Sequence, residues 1–373
     1  MTRLRQLALL AMGLSMLLIV PPAPAQGTRA IDASIIAKGG PLSASEEKLV
    51  RDHVEANIAA LDSDDPIQFR RARQQLMRPL TGDPTARPSP SFRFAYSTAM
   101  VSDLERLLQS GDPPRMITAL SLAGAIATER TVQLPLSTLA HEDPSIRYAS
   151  AYALGLTFQA LDRSAPAVRD VSRLIDAMGE RLAVEDEPFV LDRVIRTLGR
   201  AGNLARPGSN ESRLRAIDTI SRRVADRLLA LDPSEGNTDR LRMLLRAVEV
   251  VQASFTSGVF LENPSQARDP SVTGAARLGA ASMVYVARRV REGISDQEQR
   301  DLLIKIADTG EAIIFFAQGA HSTQPTAIRP TVAQVLRAGD DQGYLRQLER
   351  VYTGDAGLLR RAPFSLPPDQ LRF

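Results

Sequence analysis

The stretch HEDPSIRYASAYALGLTF, residues 141–158, decides the fold class. Asp143 can offer a carboxylate oxygen to the unpaired amide hydrogens of a first helical turn, and Pro144 gives up a donor which that turn does not need. Small residues then alternate with larger ones, Tyr148-Ala149-Ser150-Ala151-Tyr152-Ala153, as far as Leu154-Gly155. An acid, a proline and a small-residue face ending in glycine predict a helix that starts at Pro144 and either ends near Gly155 or lets a neighbour approach closely there.

The same start recurs along the chain. Asp65-Pro66, Asp112-Pro113, Glu187-Pro188 and Asp269-Pro270 all lead into Ala/Leu/Arg-rich runs, with Gln324-Pro325 as a weaker copy. Gly155 stands twelve positions after Asp143, and Gly124 and Gly199 keep that distance from Asp112 and Glu187. The intervals between starts are 47, 31, 44, 82 and 55 residues, the longest one concealing a degenerate start near Asn237-Thr238-Asp239. This is the range of helix-pair repeats, in which one helix follows the proline and a second precedes the next start, as in 144–161 and 165–182. Leu214, Ile217, Ile220, Val224, Leu228 and Leu231 form a helical stripe in one such second helix. Further helices are predicted over 43–61, where Ser43 and Glu46 make a capping box, and over 91–108, 238–255, 272–290 and 295–307.

Composition agrees with helix. The chain has 373 residues, 44% of them apolar and 5% aromatic, with no Trp. Of the 46 basic residues only Lys38, Lys48 and Lys305 are lysines, and 43 acids nearly cancel the arginines, which disfavours nucleic acid as a partner. The absence of Cys removes disulfides, thiol chemistry and a lipidated cysteine.

Residues 142–155, EDPSIRYASAYALG, resemble a HEAT repeat of the short kind seen in phycobilisome-lyase-type HEAT proteins. Ile146, Arg147, Ala149, Ala151, Ala153, Leu154 and Gly155 carry the likeness, which extends loosely over 65–340. The resemblance implies an α-solenoid, with Asp and Arg stitching neighbouring repeats, and a protein-interaction scaffold as its use. Met116, Leu191 and Thr273 occupy the Arg147 position in other copies, so an Asp–Arg ladder would be interrupted.

At the N-terminus, Arg3 and Arg5 precede an apolar run from Leu7 to Val20, and Ala23-Pro24-Ala25 gives a small-x-small cleavage site before Gln26. This pattern predicts a Sec-type signal peptide over 1–25 and a periplasmic or secreted protein. No later stretch reads as a membrane span. A flexible leader is expected over 26–42, the repeat domain over 43–352 and an irregular tail over 353–373.

Linear motifs for chemistry are absent. His53, His141 and His321 are scattered without HExxH spacing, and neither GxSxG nor GxxxxGK[ST] occurs. The run DSDD at 62–65 lacks the Gly and Glu that a calcium loop needs, and reads as capping of the next helix. No catalytic, cofactor-binding or metal-ligating residue is assigned. Arg215 and Arg222 are the candidate partner-binding residues, set against the i,i+4 pairs Glu211–Arg215, Asp218–Arg222 and Arg222–Asp226 that would neutralise that face. Tyr148 and Tyr152 read as inter-helix packing.

The expectation is therefore an all-α solenoid of about six degenerate HEAT-like helix pairs. Asp112, Gly124, Asp143, Pro144, Arg147, Gly155, Glu187 and Gly199 are its repeat motif, and it binds a protein or cell-envelope component along its second helices. An envelope hydrolase or lyase with carboxylates converging across repeats is the alternative.

Overall fold

The capping box is complete at Ser43, whose hydroxyl accepts from the Glu46 amide (3.4 Å) while its own amide donates to the Glu46 carboxylate (2.6 Å). Asp65 accepts from the Ile67 amide (2.8 Å) and Asp143 from the Ser145 amide (2.7 Å), so both acids cap the helices that follow them. Asp112 and Glu187 make no side-chain cap bond, and Asp112 pairs with Arg115 instead.

The computed structural model describes residues 30–81, 87–163, 167–234, 238–262, 270–321 and 331–373. The predicted signal peptide over 1–25, Asp269 and Gln324-Pro325 lie outside these residues. From Ile31 to Phe373 the chain forms one compact unit. Its helices are α1 (Ala33–Ile36), α2 (Ala44–Ile58), α3 (Pro66–Thr81), α4 (Pro90–Leu108), α5 (Pro113–Ile126), α6 (Gln133–Thr138), α7 (Pro144–Arg163) and α8 (Val171–Val184). They continue with α9 (Pro188–Gly202), α10 (Asn210–Ala230), α11 (Thr238–Thr256), α12 (Val259–Glu262), α13 (Pro270–Glu292), α14 (Gln297–His321), α15 (Val332–Arg337) and α16 (Asp341–Leu348). No strand occurs among the described residues.

Alternate helices stack in two rows, which makes the fold all-α and solenoid-like. The first row runs α3, α5, α7, α9, α11, α14, each touching the next. In the second, α2 packs on α4, and α8, α10 and α13 follow one another, with the short α6 between these two runs. Every described first-row helix as far as α9 begins at an acid-proline pair, and α11 begins at Thr238, within the degenerate start. Pro270 departs from that rule: α13 belongs to the second row, packed on α10, and α14 takes the next place in the first. An acid-proline pair sets where a helix begins, but layer assignment depends on tertiary packing.

Glycine sets the spacing inside the first row. A side-chain carbon on Gly124 would collide with the carbonyl of Ala153 on α7. The equivalent carbon on Gly155 would sit 3.1 Å from Thr197 Oγ1 on α9, and on Gly199 it would sit 3.1 Å from Val250 on α11. With the backbones this close, side chains reach across to carbonyls. Thr157 donates to Gly124 O (3.2 Å), Thr197 to Ala151 O (2.9 Å) and Arg200 to Gly155 O (3.2 Å). Gly155 lies inside α7, which continues to Arg163, so this glycine marks an approach and not an end. Farther on, α13 crosses α14 where Gly279 meets Gly310 O, at 2.6 Å from where a Cβ would stand. The helix predicted over 295–307 continues through this crossing to His321.

Arginines stitch the edge where second-row helices end and first-row helices begin. Arg147 holds the turn before α7, donating to His141 O (3.0 Å) and Glu142 O (2.7 Å), and forms a two-pronged bond to Glu185 in the turn before α9 (both 2.9 Å). Arg181 adds a second cation to the fully buried Glu185 (2.7 Å). Elsewhere along this edge Arg115 grips Asp62 O and Asp64, and Arg227 grips Ala183 O and Asp186. The rungs exist, but they come from positions that share no repeat register, and the acid facing Arg147 is Glu185.

The flanks expected as leader and tail are partly built into the core. Ile36 of α1 is buried and its carbonyl accepts from the Ser89 amide (2.8 Å). The segment 353–373 has little regular structure beyond short 3₁₀ turns at Leu358–Arg360 and Pro368–Leu371, yet Leu359, Phe364, Leu366 and Leu371 are buried. Arg277 and Arg288 of α13 hold Gln370 and the carbonyl of Arg372. The stretch Thr238–Glu262 is long and apolar enough to cross a membrane by length and composition alone. Here Ser257-Gly258 divides it into α11 and α12, and Leu241, Leu244, Val248 and Val251 enter the core.

Candidate functional site

Tyr148 and Tyr152 are four residues apart on α7 and so share one face. That face is the outer side of the first row, above a small apolar seam formed by Met116, Leu120, Ile146, Ala149 and Ala153 between α5 and α7. Ser145 and Ala149 are too small to fill the space beside the tyrosines. Ile117 and Ser121 of α5 bound it on one side, Phe189 of α9 on the other, and Arg73 of α3 closes one end. The result is a mainly apolar groove of about 460 Å³ assembled from four first-row helices. Phe189, 46% exposed, leans on Tyr148 with ring centroids 6.0 Å apart.

Arg193, one turn after Phe189, organises the aromatic wall. Its guanidinium lies 4.8 Å from the Tyr148 ring centroid and 5.2 Å from that of Tyr152, and it donates to the Tyr148 hydroxyl (2.5 Å). Its Nε is buried without a hydrogen-bond partner. Arg196, beyond it on α9, is paired with Asp192 (2.5 Å), and that bond holds its pKa above the usual value.

The four helices that supply the groove are rich in arginine, while their acids lie mostly in the turns before them. Helices α3, α5, α7 and α9 carry ten arginines and two acids, Asp162 and Asp192. Four of the arginines, Arg70, Arg71, Arg73 and Arg78, lie on α3, are exposed and share their helix with no acid. Near the helix starts Asp143 is turned to its cap, Asp64 pairs with Arg115 and Asp186 with Arg227, Asp65 caps α3, and Glu142 and Glu187 are exposed as well.

The structure places the sequence-selected Arg215 and Arg222 on α10, in the second row, and neither lines this groove. Arg215 makes a two-pronged bond to Asp176 of α8 (2.8 and 2.6 Å), which raises its pKa, and does so in place of the expected Glu211 pair. Arg222 does pair with Asp218 (2.8 Å), while Asp226 goes to Arg277 of α13 (2.7 Å). Arg222 lines a charged cleft of about 540 Å³ in which Asp176, Asp218 and Asp226 are each bound to an arginine. Of the repeat-motif residues, Gly124, Gly155 and Gly199 hold helix contacts, Asp143 and Pro144 start α7, and Arg147 joins two turns. None of them forms part of an open site.

The histidines do not converge. His141 accepts from the Asp143 amide (3.0 Å) and lines a turn, His53 is buried near Gln75 O (3.3 Å), and His321 stands edge-on to Phe364. Among the described residues no group of three His, Asp or Glu side chains could hold a metal ion. The DSDD run serves structure: Asp62 binds Arg106, whose hydrogen bond lowers the Asp62 pKa, Asp64 binds Arg115, and Asp65 caps α3.

No family model matches the chain, and no curated protein matches it. Among solved structures it is similar to one described as the crystal structure of an engineered protein. The two are 16% identical, the match covers 70% of this chain and 97% of that one, and the TM-score is 0.33. A likeness that weak carries no argument about fold or use.

Proposed function

We propose that this protein is an exported scaffold of degenerate HEAT-like helix pairs that binds another protein through the groove of Tyr148, Tyr152 and Phe189. The observation that carries the reading is the groove itself: large aromatic side chains left partly exposed and arranged by a half-satisfied arginine, on a stacked-helix platform. Exposed apolar patches of this kind mark interaction surfaces, and Tyr, Phe and Arg are the residue types enriched there. The binding face is then the first row, and not the second helices that sequence reasoning chose. Export rests on the basic, apolar and small-x-small order of residues 3–25.

Cross-linked capture from an envelope fraction tests the interaction. A partner recovered with the wild type and lost with Phe189→Asp, at unchanged melting midpoint, is the expected outcome. Identical recovery with both would remove the groove from the reading. Sequencing of the exported protein should give Gln26 as the first residue, and retention of Met1 in the cytoplasmic fraction would end the export part.

A further inference from the structure

The occupant of the groove can be specified further, on the premise that the groove is a docking site. We infer that it takes an extended acidic peptide segment with an aliphatic or aromatic side chain among its carboxylates.

Two observations converge. The groove is apolar and, at about 460 Å³, fits one or two large side chains, so its ligand presents an apolar anchor. It is also basic at both ends, with Arg73 of α3, a helix of four exposed arginines and no acid, closing one end and Arg193 stacked on the tyrosines beside the other. Arg147 and Arg196 are committed to Glu185 and Asp192, and Arg115 to Asp64, but no acid on α3 offsets its cations. The exposed acids at the helix starts before α3, Asp64 and Asp65, are turned to Arg115 and to the helix cap, so they leave the α3 guanidiniums to a ligand carboxylate. A neutral peptide would leave the α3 cations unanswered, and a basic one would meet repulsion.

A ligand that is only polyanionic fits less well. Lipid headgroups or a bare acidic run would leave Ile117, Phe189 and the tyrosine edges in water. Stacked nucleobases need open ring faces, and Arg193 already covers one face of both Tyr148 and Tyr152.

Fluorescence anisotropy with a short labelled peptide alternating Glu with Leu and Phe tests this. Controls are the same peptide with Lys for Glu, or with Ser for Leu and Phe, phosphatidylglycerol vesicles and an oligothymidylate. The acidic-apolar peptide should bind at least about tenfold more tightly than either peptide control. The Arg70→Glu/Arg71→Glu/Arg73→Glu protein should lose about tenfold in affinity, as should Phe189→Asp, while Arg215→Glu/Arg222→Glu stays at wild type. Melting curves of each variant, with the milder Arg73→Gln as a further check, keep folding separate from binding. Equal binding of the lysine or serine peptide, displacement by vesicles or oligothymidylate, or no binding of the peptide would each overturn the inference. If capture of a partner still depends on Phe189 in that case, only the acidic chemistry falls. If that dependence is lost as well, the groove falls with it.

Discussion

The two halves of the first row use the same stacking and carry opposite electrostatics. Helices α3, α5, α7 and α9 hold ten arginines against two acids and leave an aromatic groove open, whereas α11 and α14 hold five basic residues against six acids. In the second half the charges answer one another: Arg242 binds Glu298, Arg246 binds Glu249 and Arg300 binds Asp341. A formal net charge of +3 therefore hides a polarised array. The lesson is that total charge says little about binding here. What distinguishes the first half is which cations lack a neighbouring acid and lie beside apolar surface.

The halves should also respond differently to mutation. Glu185→Gln leaves Arg147 and Arg181 facing an uncharged, buried partner, and is expected to cost about 3 kcal/mol in denaturant unfolding. Glu298→Gln in the second half removes an exposed pair and should leave the unfolding midpoint where it was. A comparable loss at both sites would erase the distinction between buried rungs and surface pairing.

Next in size is Gly124→Ala, at about 2 kcal/mol, because backbone must yield around the new carbon. Gly155→Ala should cost about 1 kcal/mol or less, since the opposing atom is the Thr197 hydroxyl, which can move. The reverse order would show that the row is not spaced by these glycines. Arg193→Ala should cost about 1 kcal/mol by removing cation–π contact with two rings.

The pH response isolates the same rung. Burial alone would push the Glu185 carboxyl up, but hydrogen bonds from Arg147, the Glu187 amide and Arg181 hold it below the ordinary 4.5. Its stabilising contribution is thus fully present above the unfolded value near 4.5, and is lost as pH falls through the lower folded value. In an acid titration of stability from pH 6 downward, the wild type should lose more than Glu185→Gln does; parallel curves would assign the loss to other carboxylates.

Local signals were legible in the sequence and long-range ones were not. The Asp65, Asp112, Asp143 and Glu187 starts, the Ser43 cap and the buried stripe of α10 each depend on residues within a few turns, so spacing alone revealed them. Pro270 gave the same signal and landed in the other row. Arg215 found Asp176, 39 positions away, before it found Glu211, and Arg147 found Glu185, 38 positions away. The groove escaped because four helices supply its walls, and because tyrosines at helical spacing look alike whether a neighbour covers them or not. One signal was available: α3 is a helix of four arginines and no acid in a chain whose charges otherwise balance.

Arg147 bonds to the turn it follows and to the turn that opens the next pair, so neither turn can loosen without releasing the other. Arrays of stacked pairs can fray unit by unit when neighbours are weakly coupled. Here Arg147 adds to the bonds that Thr197, Arg200 and Arg193 of α9 make to α7, and amide hydrogens in both helices should exchange with solvent as one cooperative block. The residue that best matched the repeat pattern thus acts as a coupling between repeats, which binds the middle of the array into a single mechanical unit beneath the groove.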